Sequence, residues 1–190
     1  MADTLDIASP FADTLAPARH GNPDGLPGVT LARVVNVTQA EIALFGQISG
    51  GDMAGLGLGK SDKPKPAGRI LFQTGPRRVF VVDRDKDILP ALRKAVGANT
   101  GAVIDQSHGR VCLEMAGPRA ADALMKLVAV DLDPSACAIG SGLATSHHGL
   151  SMLIWRAGSE KFLLFVHRSF ARALARALIR AGEEYGLETL

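Results

Sequence analysis

Asp105, Ser107 and His108 stand within four residues of one another and together hold the side-chain types of a hydrolytic triad. A triad needs nucleophile, base and orienting acid to converge from separate elements. Neighbours along one extended segment cannot do this, so Ser107-His108-Gly109 is expected to serve as a strand bend. His147 and His148 offer imidazoles, but successive residues of a strand point to opposite faces. They are therefore expected to diverge, and no third ligand stands at a metal-binding spacing. Gly55-Leu56-Gly57-Leu58-Gly59-Lys60 has the look of a phosphate cradle, yet it fits neither G-x-x-x-x-G-K-[ST] nor G-x-G-x-x-G. Cys112 and Cys137 are too far apart for a C-x-x-C pair. Met115, Met152 and the single tryptophan, Trp155, read as packing residues.

One periodic feature remains. Arg168, Arg172, Arg176 and Arg180 recur every four residues, which on a helix of 3.6 residues per turn makes a slowly drifting row. Such a row is either a solvated helix face or an interface that grips carboxylates of another protein. These four arginines are the candidate partner-contact residues. No residue stands out as catalytic, cofactor-binding or metal-ligating.

The elements that must carry these residues form a repeated pattern. Residues 1–27 hold Pro10, Pro17, Pro23 and Pro27 without sustained periodicity, and read as an extended proline-rich arm that can order only on another surface. Residues 28–190 read as a single α+β domain. Alternation over Val29–Val37 and again over Glu41–Gln47 predicts two strands, expected to pair as a hairpin. After a glycine- and proline-rich loop, strand, turn, strand and helix follow in order: Arg69 to Thr74, Gly75-Pro76, Arg77 to Val82, and Asp87 to Val96. The same order returns 83 residues later as Leu150 to Arg156, Ala157-Gly158-Ser159, Lys161 to Val166, and Ser169 to Tyr185. Gly75 then matches Gly158 and Val79 matches Phe162. Two related halves, about 28–100 and 101–190, are expected. A further helix is signalled by Gly117-Pro118, since proline suits the first helical position. Strands are expected over Ala102–Ser107, Arg110–Met115 and Leu143–His147.

Composition excludes several classes. With 190 residues, 47% hydrophobic and 21% charged, the chain suits one globular domain with an aliphatic core, neither a disordered chain nor a disulfide scaffold. No apolar run approaches the roughly 20 residues of a membrane-spanning helix. No secretory signal opens the sequence, so a reducing cytoplasm is the expected compartment. The net charge of +2 hides an uneven distribution. Residues 1–30 hold four aspartates against Arg19, whereas residues 60–94 hold ten bases against four aspartates. A basic segment can attract nucleic acid, but without an aromatic platform, zinc finger or helix-turn-helix no nucleic-acid partner is expected.

Four segments carry a family likeness. They are Val103-Ile104-Asp105-Gln106-Ser107-His108-Gly109-Arg110-Val111-Cys112-Leu113, Ala116-Gly117-Pro118-Arg119-Ala120, Leu132-Asp133-Pro134, and Val166-His167-Arg168-Ser169-Phe170-Ala171. In order and spacing they resemble the gamma subunit of heterotetrameric sarcosine oxidase. The likeness weakens at the first repeat, where Gly75-Pro76 is kept without a neighbouring tryptophan. The resemblance implies two pseudo-symmetric ββα, ferredoxin-like halves resembling the folate-binding domain of aminomethyltransferases. It also implies a complex with alpha, beta and delta chains that oxidises the N-methyl group of sarcosine to release glycine, with capture of the one-carbon unit by tetrahydrofolate. FAD, FMN, NAD and tetrahydrofolate would belong to the larger chains, leaving this one without a cofactor and with a role in assembly. Gamma chains of N-methylglutamate or other N-methyl amine dehydrogenases are similar, and a free-standing folate-binding protein is the alternative of a different class.

Overall fold

A computed structural model describes residues 9–21, 24–45 and 69–190. Eleven strands form two sheets among these residues. In chain order they are β1 (Ala18–His20), β2 (Val29–Val34), β3 (Thr38–Leu44), β4 (Ile70–Gly75), β5 (Arg78–Asp83), β6 (Gly101–Asp105), β7 (Arg110–Ala116), β8 (Gly142–His147), β9 (Leu150–Gly158), β10 (Lys161–His167) and β11 (Leu187–Thr189). The helices are α1 (Ile88–Val96), α2 (Ala120–Met125) and α3 (Ala171–Gly182). The smaller sheet runs β4-β5-β3-β6 and the larger β1-β11-β2-β7-β10-β9-β8.

The apolar residues sort into three layers of packing. Val79 and Val81 of β5 join Ala40, Ile42 and Leu44 of β3 under Ile88, Leu92 and Val96 of α1. Phe80 and Val82, on the other face of β5, meet Phe72, Cys112, Leu153 and Phe165 between the sheets. Phe162, Leu164 and Val166 of β10 face the largest cluster, with Ala120 and Leu124 of α2 and Leu174 and Leu178 of α3. The order of layers is thus α1, small sheet, large sheet, α2 with α3. This explains why β5 and β10 read as unbroken apolar runs, for strands covered on both faces have no polar side to show. Edge strand β8, covered on one face only, alternates exposed and half-buried residues.

The predicted repeat is present to the residue. In the β4–β5 hairpin Gly75 pairs with Arg78 and the register slips beside Gln73. In β9–β10 Gly158 pairs with Lys161 and the register slips at the equivalent place, between Lys161 and Phe162. Each slip leaves one extra residue, Thr74 or Ala157, in the first strand, and such a bulge increases local twist. Helices α1 and α3 begin at Ile88 and Ala171, again 83 residues apart. The smaller sheet keeps the ferredoxin-like strand order, whereas in the larger one β2 is inserted between β11 and β7, and β8 and β1 extend its two edges.

The expected hairpin between the first two strands does not form. β2 lies in the larger sheet, antiparallel to β7 and parallel to β11, while β3 pairs with β5 and β6 in the smaller one. Asn36, at φ 59°, turns the chain from one layer into the other, and asparagine tolerates this left-handed conformation better than most residues. A second crossing, Gln106 to Gly109, returns the chain from β6 to β7. The two crossings are tied together at Gln39, which is 2% exposed. The Gln39 carbonyl accepts from the Gln106 N–H at 2.8 Å, and the Gln39 N–H donates to Ser107 Oγ at 3.1 Å. Its Nε2 donates to the Arg110 carbonyl at 3.2 Å. Alternation along a strand states which face is buried but not which neighbour it takes.

Within the proline-rich stretch, Ala12–Leu15 forms a short 3-10 turn and β1 pairs antiparallel with β11. Phe11 is 1% exposed and belongs to the large core cluster. Thr189 clamps the junction: its Oγ1 accepts from the Ala18 N–H at 2.9 Å and donates to the Ala16 carbonyl at 2.6 Å.

Candidate docking site

The Asp105, Ser107 and His108 set lies at the second crossing. Asp105 Oδ1 accepts from the Ser107 N–H at 2.9 Å, an Asx-type turn. Hydrogen bonding from Ser107 holds the Asp105 carboxyl below the usual range. Ser107 Oγ is engaged with the Gln39 backbone. The three groups therefore shape a bend between layers.

The histidines depart from expectation. His148 leaves the strand at φ 46° and, with Gly149 at φ 82°, makes a two-residue turn that joins β8 to β9. Such a turn needs positive φ at both positions, so the two rings come together with centroids 4.3 Å apart instead of diverging. His147 Nδ1 lies 2.9 Å from the Leu127 carbonyl and is occupied in linking β8 to the α2 end. Among the described residues no group of three or more His, Cys, Asp or Glu could hold a metal ion.

Cys112 and Cys137 are buried and unbridged. Burial, reinforced by Glu114, drives the Cys112 thiol strongly upward, which removes thiolate character. The glycine-rich Gly50–Lys60 stretch lies outside the described residues. Trp155 is half-buried and meets Phe72 edge-on at 5.8 Å, a contact between the sheets.

The arginine row divides in two. Arg168 belongs to a 3-10 turn before α3, is half-buried, and its N–H donates to the Gly109 carbonyl at 3.0 Å beside the second crossing. Arg172, Arg176 and Arg180 are exposed on α3. The helix buries Ala171, Leu174, Ala175, Leu178, Ile179, Ala181 and Gly182 beneath them. Phe170 is 40% exposed because the 3-10 turn rotates it off the buried face of α3. The Thr14 turn packs beside α3, and Thr14, Arg172, Arg176 and Ile179 line an open cleft of about 290 Å³.

Two other polar features were not legible in the sequence. Arg156, 3% exposed, spends its guanidinium on the carbonyls of Leu132, Cys137, Gly158 and Ser159 at 2.7–3.3 Å and lies over the Phe162 ring. Tyr185 is flanked by Arg119 and Lys126, at 4.6 and 4.3 Å from its ring centre. Each depends on segments far apart in the chain, and no local motif announces it.

A four-layer α+β domain built of two ferredoxin-like halves, with a basic cleft and no assembled catalytic constellation among the described residues, defines the class. It shares its fold with the glycine cleavage system aminomethyltransferase T of Bartonella henselae, with TM-score 0.57 and 19% identity over 80% of this chain and 46% of that one. The model of the sarcosine oxidase, gamma subunit family matches residues 79–184, and the chain belongs to that family. It is 28% identical over 120 residues to sarcosine oxidase subunit gamma of Corynebacterium sp. strain U-96, covering 63% of this chain and 58% of the relative. Against the Arthrobacter sp. gamma subunit the identity is 32% over 124 residues, 65% of this chain and 61% of the relative. These alignments span less than two thirds of the relatives' length. A chain of the heterotetrameric sarcosine oxidase from Corynebacterium sp. U-96, in complex with pyrrole 2-carboxylate, superposes with TM-score 0.77 and 26% identity. That superposition covers 94% of this chain and 95% of the other.

Proposed function

We propose that this chain acts as the gamma subunit of a flavin-dependent, sarcosine oxidase-type heterotetramer, assembled with alpha, beta and delta chains. The observation that carries this reading is the near-complete mutual coverage with a chain of a heterotetrameric sarcosine oxidase. In such a complex, a flavin bound on a larger chain would supply the oxidising chemistry that acts on the N-methyl carbon of sarcosine. Glycine is released, and the one-carbon unit passes to tetrahydrofolate when that is present. This chain contributes no acid, base or nucleophile to the step and serves in assembly. Buried Cys112 and the hydrogen-bonded Asp105–Ser107 turn fit such a role. Arg172, Arg176 and Arg180 on α3 form the face offered to partner chains, and half-buried Arg168 stands apart from it on the preceding 3-10 turn.

Affinity purification of the full-length chain from its source organism tests the reading. Large chains carrying flavin absorbance should co-elute, and the eluate should form hydrogen peroxide on addition of sarcosine. Elution of the chain alone, or with partners that hold no flavin, would overturn the proposal.

A further inference from the structure

Resting on the reading of α3 as a subunit-facing helix, we infer that the cleft between the Thr14 turn and α3 receives a carboxylate side chain from an acidic segment of a partner chain. Arg172 and Arg176 stand one turn apart on the same face of α3 and both line the cleft. Neither makes an ion pair or a side-chain hydrogen bond with any described residue. α3 itself, Ala171–Gly182, contains no acidic residue. Two acids follow it: Glu183, three residues past Arg180 and seven past Arg176, lies at the far end of the row, and Glu184 is held by Lys126 at 2.8 Å. An uncompensated arginine pair presents forked donors that match a carboxylate.

Two other described residues of the lining bear on the occupant. Thr14 adds a hydroxyl, and Ile179, 9% exposed, supplies an apolar wall. A glutamate or aspartate side chain presents both an anionic head and an apolar stem to such a wall. A volume of about 290 Å³ lies just below the range of about 300–1,000 Å³ that holds drug-sized ligands, and is ample for one acidic side chain with its neighbours. The cleft is composite. Thr14 reaches it only because Phe11 is seated in the core and β1 is paired with β11, so arm and helix make one surface.

The test compares full-length variants co-expressed with the flavin-bearing chains, reading recovery of the complex at a fixed low salt, with circular dichroism of each purified variant as the folding control. R172A/R176A should lower recovery at least about tenfold, since two charge-assisted contacts are lost. R172K/R176K should give an intermediate loss because charge remains without the fork. T14V should cost about threefold. R180A, in the row but outside the cleft, should cost less than T14V, and R93A on α1 should cost nothing. Equal losses for R180A and R172A/R176A would overturn the cleft and leave a diffuse charged face. Full recovery for R172A/R176A would overturn both the cleft and the subunit-facing reading of α3, while a wild-type chain that assembles with no flavoprotein would overturn the proposed function itself. Two findings on the isolated chain would assign the cleft another occupant and overturn the inference: retention of inorganic phosphate that R172A/R176A abolishes, or a homodimer that the same change dissolves.

Discussion

Arg156 shows how a single residue can hold a loop. Four backbone carbonyls, from Leu132, Cys137, Gly158 and Ser159, converge on its guanidinium, and the residue is 3% exposed. Among the described residues it makes no salt bridge, so hydrogen bonds to carbonyl dipoles take the place of charge compensation. Arg156→Met keeps the bulk but strands those carbonyls, at a cost of about 3 kcal/mol. For a chain of this size that is a fall of roughly 6–12 °C in the thermal midpoint. Scanning calorimetry checks it, and an unchanged midpoint would show that water replaces the guanidinium freely. His167 supplies a pH-dependent counterpart. Partial desolvation of this exposed ring, and then the charge of Arg110 opposite it across β10 and β7, holds its pKa below the ordinary histidine value of 6.5. A pKa lower in the folded than in the unfolded state means that the unfolded chain binds the proton more readily. The contribution is therefore complete above pH 6.5 and lost as pH falls from there through the folded pKa. Chemical denaturation at pH 7.5 and pH 5.5 should show a smaller drop for His167→Gln than for the wild type. An equal drop would assign the acid sensitivity to other groups.

At the scale of elements, the N-terminal stretch and the repeated hairpins behave differently. Residues 9–20 add a turn, a strand and one buried ring to an otherwise complete sheet. Their strand pairs only with β11 at the sheet edge, so they are expected to undock without unfolding the two sheets, and the free energy of undocking then caps the effect of any change there. Phe11→Ala should accordingly speed hydrogen exchange in β1 and in its partner β11 by at least about tenfold with only a small change in the global midpoint. A matched fall in the midpoint, without faster exchange in β1, would make the arm part of the cooperative core instead. The hairpins β4–β5 and β9–β10 were legible in advance because a glycine turn flanked by two apolar runs is a local signal, and it occurs twice at one spacing. Gly117-Pro118 likewise announced α2. Gly117 sits at φ 120°, and a Cβ there would lie 2.5 Å from the Gly28 carbonyl oxygen, so both its conformation and the close approach of β2 require glycine.

For the whole molecule, two ferredoxin-like halves packed sheet to sheet leave α3 and the docked arm on one outer layer and α1 on the other. The space between the sheets is filled by Phe72, Phe80, Trp155 and Phe165 in edge-on and tilted contacts. A domain with its inter-layer space filled in this way suits a scaffold. The isolated full-length chain should retain neither flavin nor tetrahydrofolate in equilibrium dialysis. Tight retention of either would place a cofactor site in this chain and overturn the scaffold reading. No helix of the described residues is long and apolar enough to cross a membrane. By itself the sequence determined the repeat, the two glycine-turn hairpins, the approximate helix positions, the arginine period and the family likeness of four segments. All of these are written in residues close together in the chain, where periodicity and turn chemistry act. Only the tertiary structure decided that β2 joins the far sheet, that the turn at His148-Gly149 brings two imidazoles together, and that Thr14 meets Arg172 and Arg176 across a cleft. Each of those depends on a choice among distant partners, and that choice is made by the packing of layers, to which local side-chain order is blind.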